Sequence, residues 1–91
     1  MNQAKELIDL IGNTPIIQVK RLDTGKCNLF LKLENTNPGY SIKDRVALNI
    51  INNAEKEGQL NKDSTIIEAS AGNTALGLAL IARIKGYKAT V

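Results

Sequence analysis

The sequence predicts an α/β fold in which strands and helices alternate along one parallel sheet. Two observations carry this prediction. From Leu29 onward, β-branched or apolar runs alternate with helical patterns in the order strand, helix, strand, helix, strand. The helical segment from Asn73 to Lys85 is apolar on almost every side, which is typical of a helix that is covered on more than one side. Alternation of this kind indicates parallel strands joined by right-handed crossovers.

The first third of the chain, residues 1 to about 35, is predicted to form a short segment before the first long helix, which we call the lead-in. The stretch AKELIDLIG, residues 4–12, has the pattern of a short helix that ends at Gly12, and the turn NTP follows it. IIQV (16–19) and LFLKL (29–33) have the composition of short strands, and the turn-rich DTGKCN separates them. We therefore expect one helix and two strands before the first long helix.

That first long helix is predicted over Ser41–Glu57. Ser41 and Asp44 fit the S-x-x-D capping pattern, and Gly58 lies just beyond the last turn, where glycine is favoured. TIIEA (65–69) is then predicted to be a strand because of its β-branched residues.

A second helix is predicted over Asn73–Lys85. Arg83 and Lys85 lie in its last turn, where cations suit the helix dipole, and Gly86 follows. YKATV (87–91) begins a further strand at the end of the chain. We therefore expect either a truncated piece of a larger protein or a second copy that covers the apolar helix.

Composition narrows the classes of function. The net charge is +3, the 12 Lys and Arg residues are scattered, and two Tyr and one Phe are the only aromatic residues, so nucleic-acid binding is not expected. The longest apolar run, residues 75–82, is far shorter than the ~20 residues of a membrane span. The single cysteine, Cys27, cannot form an internal disulfide, which favours the cytoplasm. With no histidine and no second cysteine, a metal site is not expected.

Lys43 stands out because two features of its position oppose its charge. With residues placed at about 100° intervals around the helix, Lys43 lies near the middle of the apolar stripe and Asp44 lies on the polar side. The stripe consists of Val46, Ala47, Ile50, Ile51 and Ala54. The first turn is also the positive end of the helix dipole. The sequence therefore predicts an inward-facing amine at a helix N-terminus.

Two interpretations of Lys43 remain open. A lysine in a first turn commonly extends its amine into water along its aliphatic stem. Alternatively, burial and the helix dipole both lower the pKa of the amine, which makes it a nucleophile toward aldehydes.

A second candidate site is the segment EASAGNTALG (68–77), which runs from a strand end into the second helix. Loops that follow parallel strands emerge at one edge of a sheet, so this loop and the one before Lys43 are expected at the same edge. Backbone N–H groups at such a helix start can hold an anion. The residues beside them are Ser70, Ala71, Gly72, Asn73 and Thr74. Simple N-capping by Ser70, Asn73 or Thr74 is the alternative.

Taken together, these segments resemble the cysteine synthase and cystathionine β-synthase family of pyridoxal-phosphate enzymes, of fold type II. The likeness spans the chain in the right order and is carried by the blocks IGNTPIIQV, LFLKLE, NPGYSIKDR, AEKEGQL, IIEASAGNTALGLAL and KGYKATV. The resemblance implies the βαβαβ portion of a three-layer αβα fold, truncated at its end. It also implies an N-terminal fragment in which residues 1 to about 35 form a lead-in and 36–91 carry the cofactor and substrate loops.

The resemblance assigns roles to matching residues. Lys43, in SIKDR, matches the lysine that binds pyridoxal 5'-phosphate covalently and acts as the general base on the substrate α-proton. Asn73 matches the asparagine that donates to the cofactor's ring hydroxyl. The segment from Ser70 to Thr74 matches the loop that binds the substrate α-carboxylate. The glycine-rich phosphate-binding loop of the family, and the Ser or Thr that faces the pyridine nitrogen, would lie beyond Val91.

Three residues depart from the family pattern. Tyr40 stands where the family has a second glycine, in NPGGS. Ala71 stands where cysteine synthases have serine, and it resembles the members that use homocysteine. Ala75 replaces a glycine inside the second helix.

The implied activity is β-replacement on O-acetylserine or serine by a sulfur nucleophile, as in cysteine synthases. A cystathionine β-synthase type that uses homocysteine is the alternative, favoured by Ala71. A homodimer is the expected assembly, with small amino-acid substrates and no nucleic-acid or membrane partner. A different class remains open, in which these residues are a non-catalytic fragment that binds or pairs with another chain. The isolated 91 residues are expected to be inactive.

Overall fold

The structure, a computed structural model, describes residues 6–91. Within that range the chain forms two short 3₁₀ helices, four strands and two α-helices. In chain order these are a 3₁₀ helix Leu7–Leu10, β1 (Ile16–Gln18), β2 (Phe30–Lys32), a 3₁₀ helix Glu34–Thr36, α1 (Lys43–Lys56), β3 (Thr65–Ile67), α2 (Asn73–Lys85) and β4 (Lys88–Thr90).

The parallel part of the fold is the unit β3–α2–β4. β3 and β4 pair in parallel, with Thr65 opposite Lys88 and Ile67 opposite Thr90. α2 is the crossover between them, as a parallel pair requires. The predicted α/β class, with a parallel sheet and two helices, is therefore confirmed.

The first strand of the predicted alternation does not belong to that sheet. β2 pairs antiparallel with β1 in a separate two-stranded sheet, with Ile16 opposite Lys32 and Gln18 opposite Phe30. The expectation that the strand at 29–33 lies in the parallel sheet is wrong. Residues 19–29 join β1 to β2 without a crossover helix, which suits an antiparallel pair, and the helical pattern that follows β2 did not state which strand β2 pairs with.

The helix predicted over residues 4–12 is shorter and tighter in the structure. Residues 4 and 5 lie outside the described range, and Leu7–Leu10 form a 3₁₀ helix. Gly12 has a φ of +87°, a conformation that glycine adopts readily. The predicted end of this element at Gly12 is therefore confirmed.

α1 begins two residues later than predicted and has a different cap. The residue before it, Ile42, makes no capping hydrogen bond with its side chain. The Ser41 hydroxyl accepts instead from the backbone N–H of Lys43, at 3.1 Å. The carboxylate of Asp44 reaches past Ser41 to accept from the N–H of Gly39, at 2.6 Å. The predicted reciprocal cap between Ser41 and Asp44 is therefore wrong.

The predicted helix ends are confirmed. Gly58, beyond the end of α1, has a φ of +74°. α2 has the predicted bounds, and Gly86 beyond it has a φ of +84° and donates its N–H to Ala82. Both glycines adopt the left-handed conformation that terminates helices.

The core lies between α1 and α2. Ala47 and Ile51 of α1 pack against Leu78 and Ile81 of α2, and Ile11 from the lead-in completes the cluster. All five side chains are at most 9% exposed.

The two helices run in the same direction. Near their N-termini, a Cβ built on Gly77 of α2 would lie 3.0 Å from the carbonyl oxygen of Lys43 and 3.2 Å from Ala47 Cβ of α1. Near their C-termini, Lys85 of α2 binds Asn52 and Glu55 of α1. The N-termini of α1 and α2 therefore lie side by side at one end of the helix pair, and the two C-termini lie side by side at the other.

Large apolar surfaces remain exposed. The radius of gyration is 16.4 Å, compared with about 12 Å expected for a compact chain of this length. Ile16 and Phe30 in the β1–β2 sheet are 62% and 52% exposed, and Ile67 of β3 is 77% exposed. The described residues thus bury one face of each helix and leave most of both sheets uncovered.

Candidate functional site

The predicted site residues lie at the two adjoining helix N-termini. We call this region, residues 40–43 and 70–74, the open end of the helix pair. Asn73 begins α2 and lies one turn, about 6 Å, before Gly77, whose backbone adjoins Lys43. The two loops therefore lie at one end of the helix pair, although only the loop before α2 follows a strand of the parallel sheet.

Lys43 does not face inward. Its side chain is exposed, and the buried residues of α1 are Asp44, Ala47 and Ile51. The face that meets α2 is therefore turned by roughly a quarter of a circle from the centre of the apolar stripe. The expectation of a buried amine is wrong for these residues, because contact with α2, and not the average hydropathy of the stripe, selects the buried face.

The other half of the apolar stripe lies open beside Lys43. Ile42, Val46 and Ile50 are 51%, 39% and 48% exposed. Within residues 6–91 the Lys43 amine has no hydrogen-bond or ion-pair partner. The amine thus stands at the edge of an uncovered apolar strip.

The start of α2 has no side-chain cap. The N-cap residue is Gly72, and no side chain makes a capping hydrogen bond there. The Ser70 hydroxyl accepts from the N–H of Gly72 at 3.2 Å, just outside the helix. The alternative of capping by Ser70, Asn73 or Thr74 is therefore not realised. The first-turn N–H groups, which have no partner within a helix, point out of its start.

A shallow depression of about 470 Å³ adjoins this loop. Its lining consists of Ser70, Ala71, Gly72, Ala75, Leu76, Ala79 and Val91. Lys43 is not part of the lining, because the depression lies on the side of α2 away from α1. The lysine and the loop thus lie at one end of the helix pair, and Lys43 does not line this depression.

The loop before Lys43 is held by two polar side chains, Asn37 and Asp44, whose burial the sequence did not predict. Asn37 is 1% exposed; its side chain accepts from the N–H of Gly12 at 2.9 Å and donates to the carbonyl of Ser41 at 3.0 Å. Asp44 is fully buried behind the loop and binds Gly39. A Cβ on Gly39 would clash with this carboxylate, so glycine is required there. The Asn-Pro-Gly turn signal pointed to this loop, but not to Asp44.

Tyr40 adopts a left-handed backbone in this loop. Its φ is +68°, and it is the non-glycine residue with positive φ among the described residues. The ring is 78% exposed. The position at which the sequence departs from a glycine is therefore one whose backbone conformation suits glycine.

A polar cluster ties the start of α1 to the lead-in. Arg45 donates to Glu34, to the Gly12 carbonyl at 2.9 Å and to the Thr14 hydroxyl at 3.1 Å. The hydrogen bond from Arg45, and then that from Thr14, lowers the pKa of Glu34 from 4.5 to about 2. This cluster fixes the start of α1 to the lead-in.

The other end of the helix pair is closed by a second cluster, which we call the clasp. Glu55 of α1 binds Lys85 and accepts from the Tyr87 hydroxyl at 2.6 Å, and Lys85 also donates to Asn52 at 2.9 Å. The hydrogen bonds from Lys85 and Tyr87 lower the pKa of Glu55. The same bond to Glu55 raises the pKa of Tyr87.

Residues 6–91 contain neither a helix suited to span a membrane nor a cluster of metal-binding side chains. None of the described helices combines the length and the apolar character needed to cross a bilayer. No three His, Cys, Asp or Glu side chains in the described part of the chain are grouped so as to hold a metal ion.

Comparisons with known proteins agree on one family. The family model described as pyridoxal-phosphate dependent enzyme matches residues 7–91. A cysteine synthase of Flavobacterium sp. is 54% identical over 81 residues, which are 89% of this chain and 26% of the relative.

Solved structures give the same result. A hydrogen sulfide-producing enzyme from Fusobacterium nucleatum superposes with a TM-score of 0.95 at 50% identity, covering 98% of this chain and 30% of that one. An O-acetylserine dependent cystathionine beta-synthase from Helicobacter pylori superposes with a TM-score of 0.86 at 36% identity, covering 98% and 30%. The chain thus spans less than a third of each of these three proteins.

Proposed function

This chain belongs to the family of pyridoxal-phosphate-dependent enzymes, and we propose that it contributes the cofactor lysine and the substrate loop of a cysteine synthase-type enzyme. The observation that supports this most is the shared end of the helix pair. Lys43 begins α1, and the loop from Ser70 to Thr74 begins α2. Because the helices run in parallel, both project from the same end.

The residues at the open end fit the proposed cofactor. The Lys43 amine has no partner within the described residues, and the amide of Asn73 is exposed beside the uncapped start of α2. The Lys43 amine can react with the aldehyde of pyridoxal phosphate, and the Asn73 amide can hydrogen-bond to the ring hydroxyl. When bound, the cofactor would supply the aldehyde and an electron-withdrawing ring.

The chain's own residues would carry the remaining work. The first-turn N–H groups of α2 and the hydroxyls of Ser70 and Thr74 would bind the substrate α-carboxylate and orient the substrate. Lys43 Nζ would accept the proton from the substrate Cα. Loss of acetate from O-acetylserine, or of water from serine, would then allow a sulfur nucleophile to add at the β-carbon.

Sulfide is the proposed acceptor, and homocysteine is the alternative. The name of the relative from Flavobacterium sp. supports sulfide. The Helicobacter pylori structure, named as a cystathionine synthase, and Ala71 in the substrate loop support homocysteine.

The setting that we propose is a cytoplasmic homodimer. The lone Cys27, which is exposed and free, suits a reducing compartment. The uncovered apolar strip of Ile42, Val46 and Ile50 supports burial against further protein. That strip equally supports the alternative that these residues only pair with another chain and are not catalytic.

A chimeric protein tests the proposed function. We define the chimera as the Flavobacterium cysteine synthase in which this chain replaces the segment that it matches. We expect the purified chimera to gain a visible absorbance band on addition of pyridoxal phosphate and to form cysteine from O-acetylserine and sulfide. A chimera that melts cooperatively but gains no band would contradict the proposed role of Lys43.

The same protein separates the alternatives. Product formation with homocysteine but not with sulfide would favour the cystathionine type. Pairing of the 91-residue chain with a separate remainder of the relative, without a cofactor band, would favour the non-catalytic role.

A further inference from the structure

We propose that Tyr40 determines acceptor specificity at the open end, by placing its ring at the rim where it hinders acceptors larger than sulfide. This inference rests on the proposed function and names a substrate-selecting residue for it. It begins with the backbone. A φ of +68° at a bulky residue is a strained conformation compared with an ordinary one.

The loop leaves Tyr40 no ordinary alternative. The N–H of Tyr40 donates to the carbonyl of Asn37 at 2.8 Å, which closes a turn. The residue before it, Gly39, is held by the buried Asp44, and the carbonyl of Ser41 after it is held by the buried Asn37. Anchored on both sides, the backbone fixes the direction in which the ring leaves the loop.

The strain at Tyr40 is not offset by packing within residues 6–91. The ring is 78% exposed, more than any other large apolar or aromatic side chain described. The second tyrosine, Tyr87, is partly buried and gives its hydroxyl to Glu55. Of the two rings, the strained one is thus the more exposed within residues 6–91.

The position of the ring connects it to the proposed chemistry. Tyr40 lies three residues before Lys43, at the helix end shared with the loop from Ser70 to Thr74. In the proposed arrangement, an acceptor that attacks a substrate held there passes the rim of this end. Sulfide is small, whereas homocysteine brings a charged amino-acid head group that a neutral ring does not pair.

The expected effect on acceptor selectivity follows from the size of the Tyr40 ring. A specific site excludes a competitor by a steric or unpaired contact as well as by attraction to its own ligand. Contacts of one to a few carbon atoms commonly change kcat/KM ratios by about 10-fold or more. Removal of the ring should therefore raise the homocysteine-to-sulfide ratio of kcat/KM by about 10-fold.

The test compares Tyr40→Gly, Tyr40→Phe and Tyr87→Phe in the cofactor-loaded chimera. Tyr40→Gly should raise the ratio about 10-fold, and Tyr40→Phe, which keeps the bulk, should retain the original ratio. Tyr87→Phe, at the far end of the helix pair, should also retain it. The KM for homocysteine at saturating O-acetylserine should fall in Tyr40→Gly by a similar factor.

The outcomes separate the two proposals. An active chimera whose ratio and KM for homocysteine are unchanged in Tyr40→Gly would overturn the role of Tyr40 and leave the proposed function standing. A shift in Tyr40→Phe equal to that in Tyr40→Gly would overturn the steric argument in favour of the hydroxyl. A folded chimera that uses neither acceptor would overturn both proposals.

Discussion

At the clasp, the carboxylate of Glu55 binds both Lys85 and Tyr87, whereas at the open end Lys43 and Asn73 have no side-chain partner among residues 6–91. The two ends belong to the same pair of parallel helices and bury the same core between them. They differ in whether their polar side chains are hydrogen-bonded to other side chains. The polar groups at the clasp are hydrogen-bonded to one another and hold the helices together. Those at the open end have no side-chain partner within residues 6–91 and can bind a ligand.

The Lys43 side of the open end is supported by buried and paired polar groups. Its backbone is fixed from behind by Asn37, Asp44 and the ion pair between Arg45 and Glu34. Groups that face a ligand can therefore remain unpaired on a rigid support, an arrangement that suits binding and catalysis. Stability and function are assigned to different side chains of the same helix start.

The largest expected effect separates the two lysines at opposite ends. Lys43→Ala should abolish the cofactor absorbance band of the chimera and leave the melting temperature of the cofactor-free protein nearly unchanged, because the side chain is exposed and unpaired within residues 6–91. Lys85→Ala should keep the band and destabilise the fold by about 1 kcal/mol, because it removes a partly exposed ion pair. Absorbance and thermal unfolding of both variants measure this. A band that survives Lys43→Ala would show that another group captures the cofactor.

The second prediction tests the close approach of the helices beside the open end. Gly77→Val should destabilise the chain by about 2 kcal/mol, because even a Cβ would lie 3.0 Å from the Lys43 carbonyl oxygen and further methyl groups would separate the helices. Leu76→Val, a neighbouring exposed position of α2, should cost less than about 0.5 kcal/mol. Urea unfolding of the two variants gives both values. Equal losses would mean that helix propensity, and not contact with α1, sets the cost.

The sequence predicted the parts of the molecule that local patterns determine. The bounds of α2, the glycines after both helices and the short strands follow from hydrophobic period and turn residues. Pairing of β2 with β1 was missed, because alternation along the chain does not state which strands are neighbours. The family likeness placed Lys43 and Asn73 in roles that composition alone could not have assigned.

The burial of Lys43 and Asp44 was predicted the wrong way round for a physical reason. A helical wheel averages hydropathy around α1, but the buried face is chosen by the small residues Ala47 and Gly77, which let the helices approach. Asp44 falls on that face and is buried because it can bind the N–H of Gly39. Such a polar contact with the preceding loop has no signature in periodicity.

The third prediction uses pH to distinguish the two ends. Lys85, and then Tyr87, lowers the pKa of Glu55, so its contribution to stability is complete above a pH of about 4.5 and is lost as the pH falls through the lowered value. The raised pKa of Tyr87 contributes below a pH of about 10 and is lost as the pH rises beyond it. Glu34 keeps its contribution further into acid, because Arg45 lowers its pKa to about 2.

Glu55→Gln isolates the clasp in that experiment. The difference in melting temperature between the original chain and Glu55→Gln should be largest near neutral pH and should shrink at both extremes. Glu57→Gln, at an exposed position nearby, should show little difference at any pH. A difference that is constant from pH 3 to pH 11 would mean that the charge on Glu55 does not hold the clasp. In that case hydrogen bonding to the side chain, charged or neutral, would be sufficient.

The smallest expected effect compares left-handed residues at the two ends. Tyr40→Gly should stabilise the chain by roughly 0.5–1 kcal/mol, because glycine relieves the strain of a φ of +68° by more than it adds to the entropy of the unfolded chain. Gly86→Ala should destabilise it by about 1 kcal/mol, because alanine would take on the same type of strain at a φ of +84° where nothing hinders its Cβ. Chemical denaturation of the two variants measures both signs. A loss of stability in Tyr40→Gly would mean that the exposed ring stabilises the loop. It would contradict the claim that holding this ring at the open end costs the fold stability.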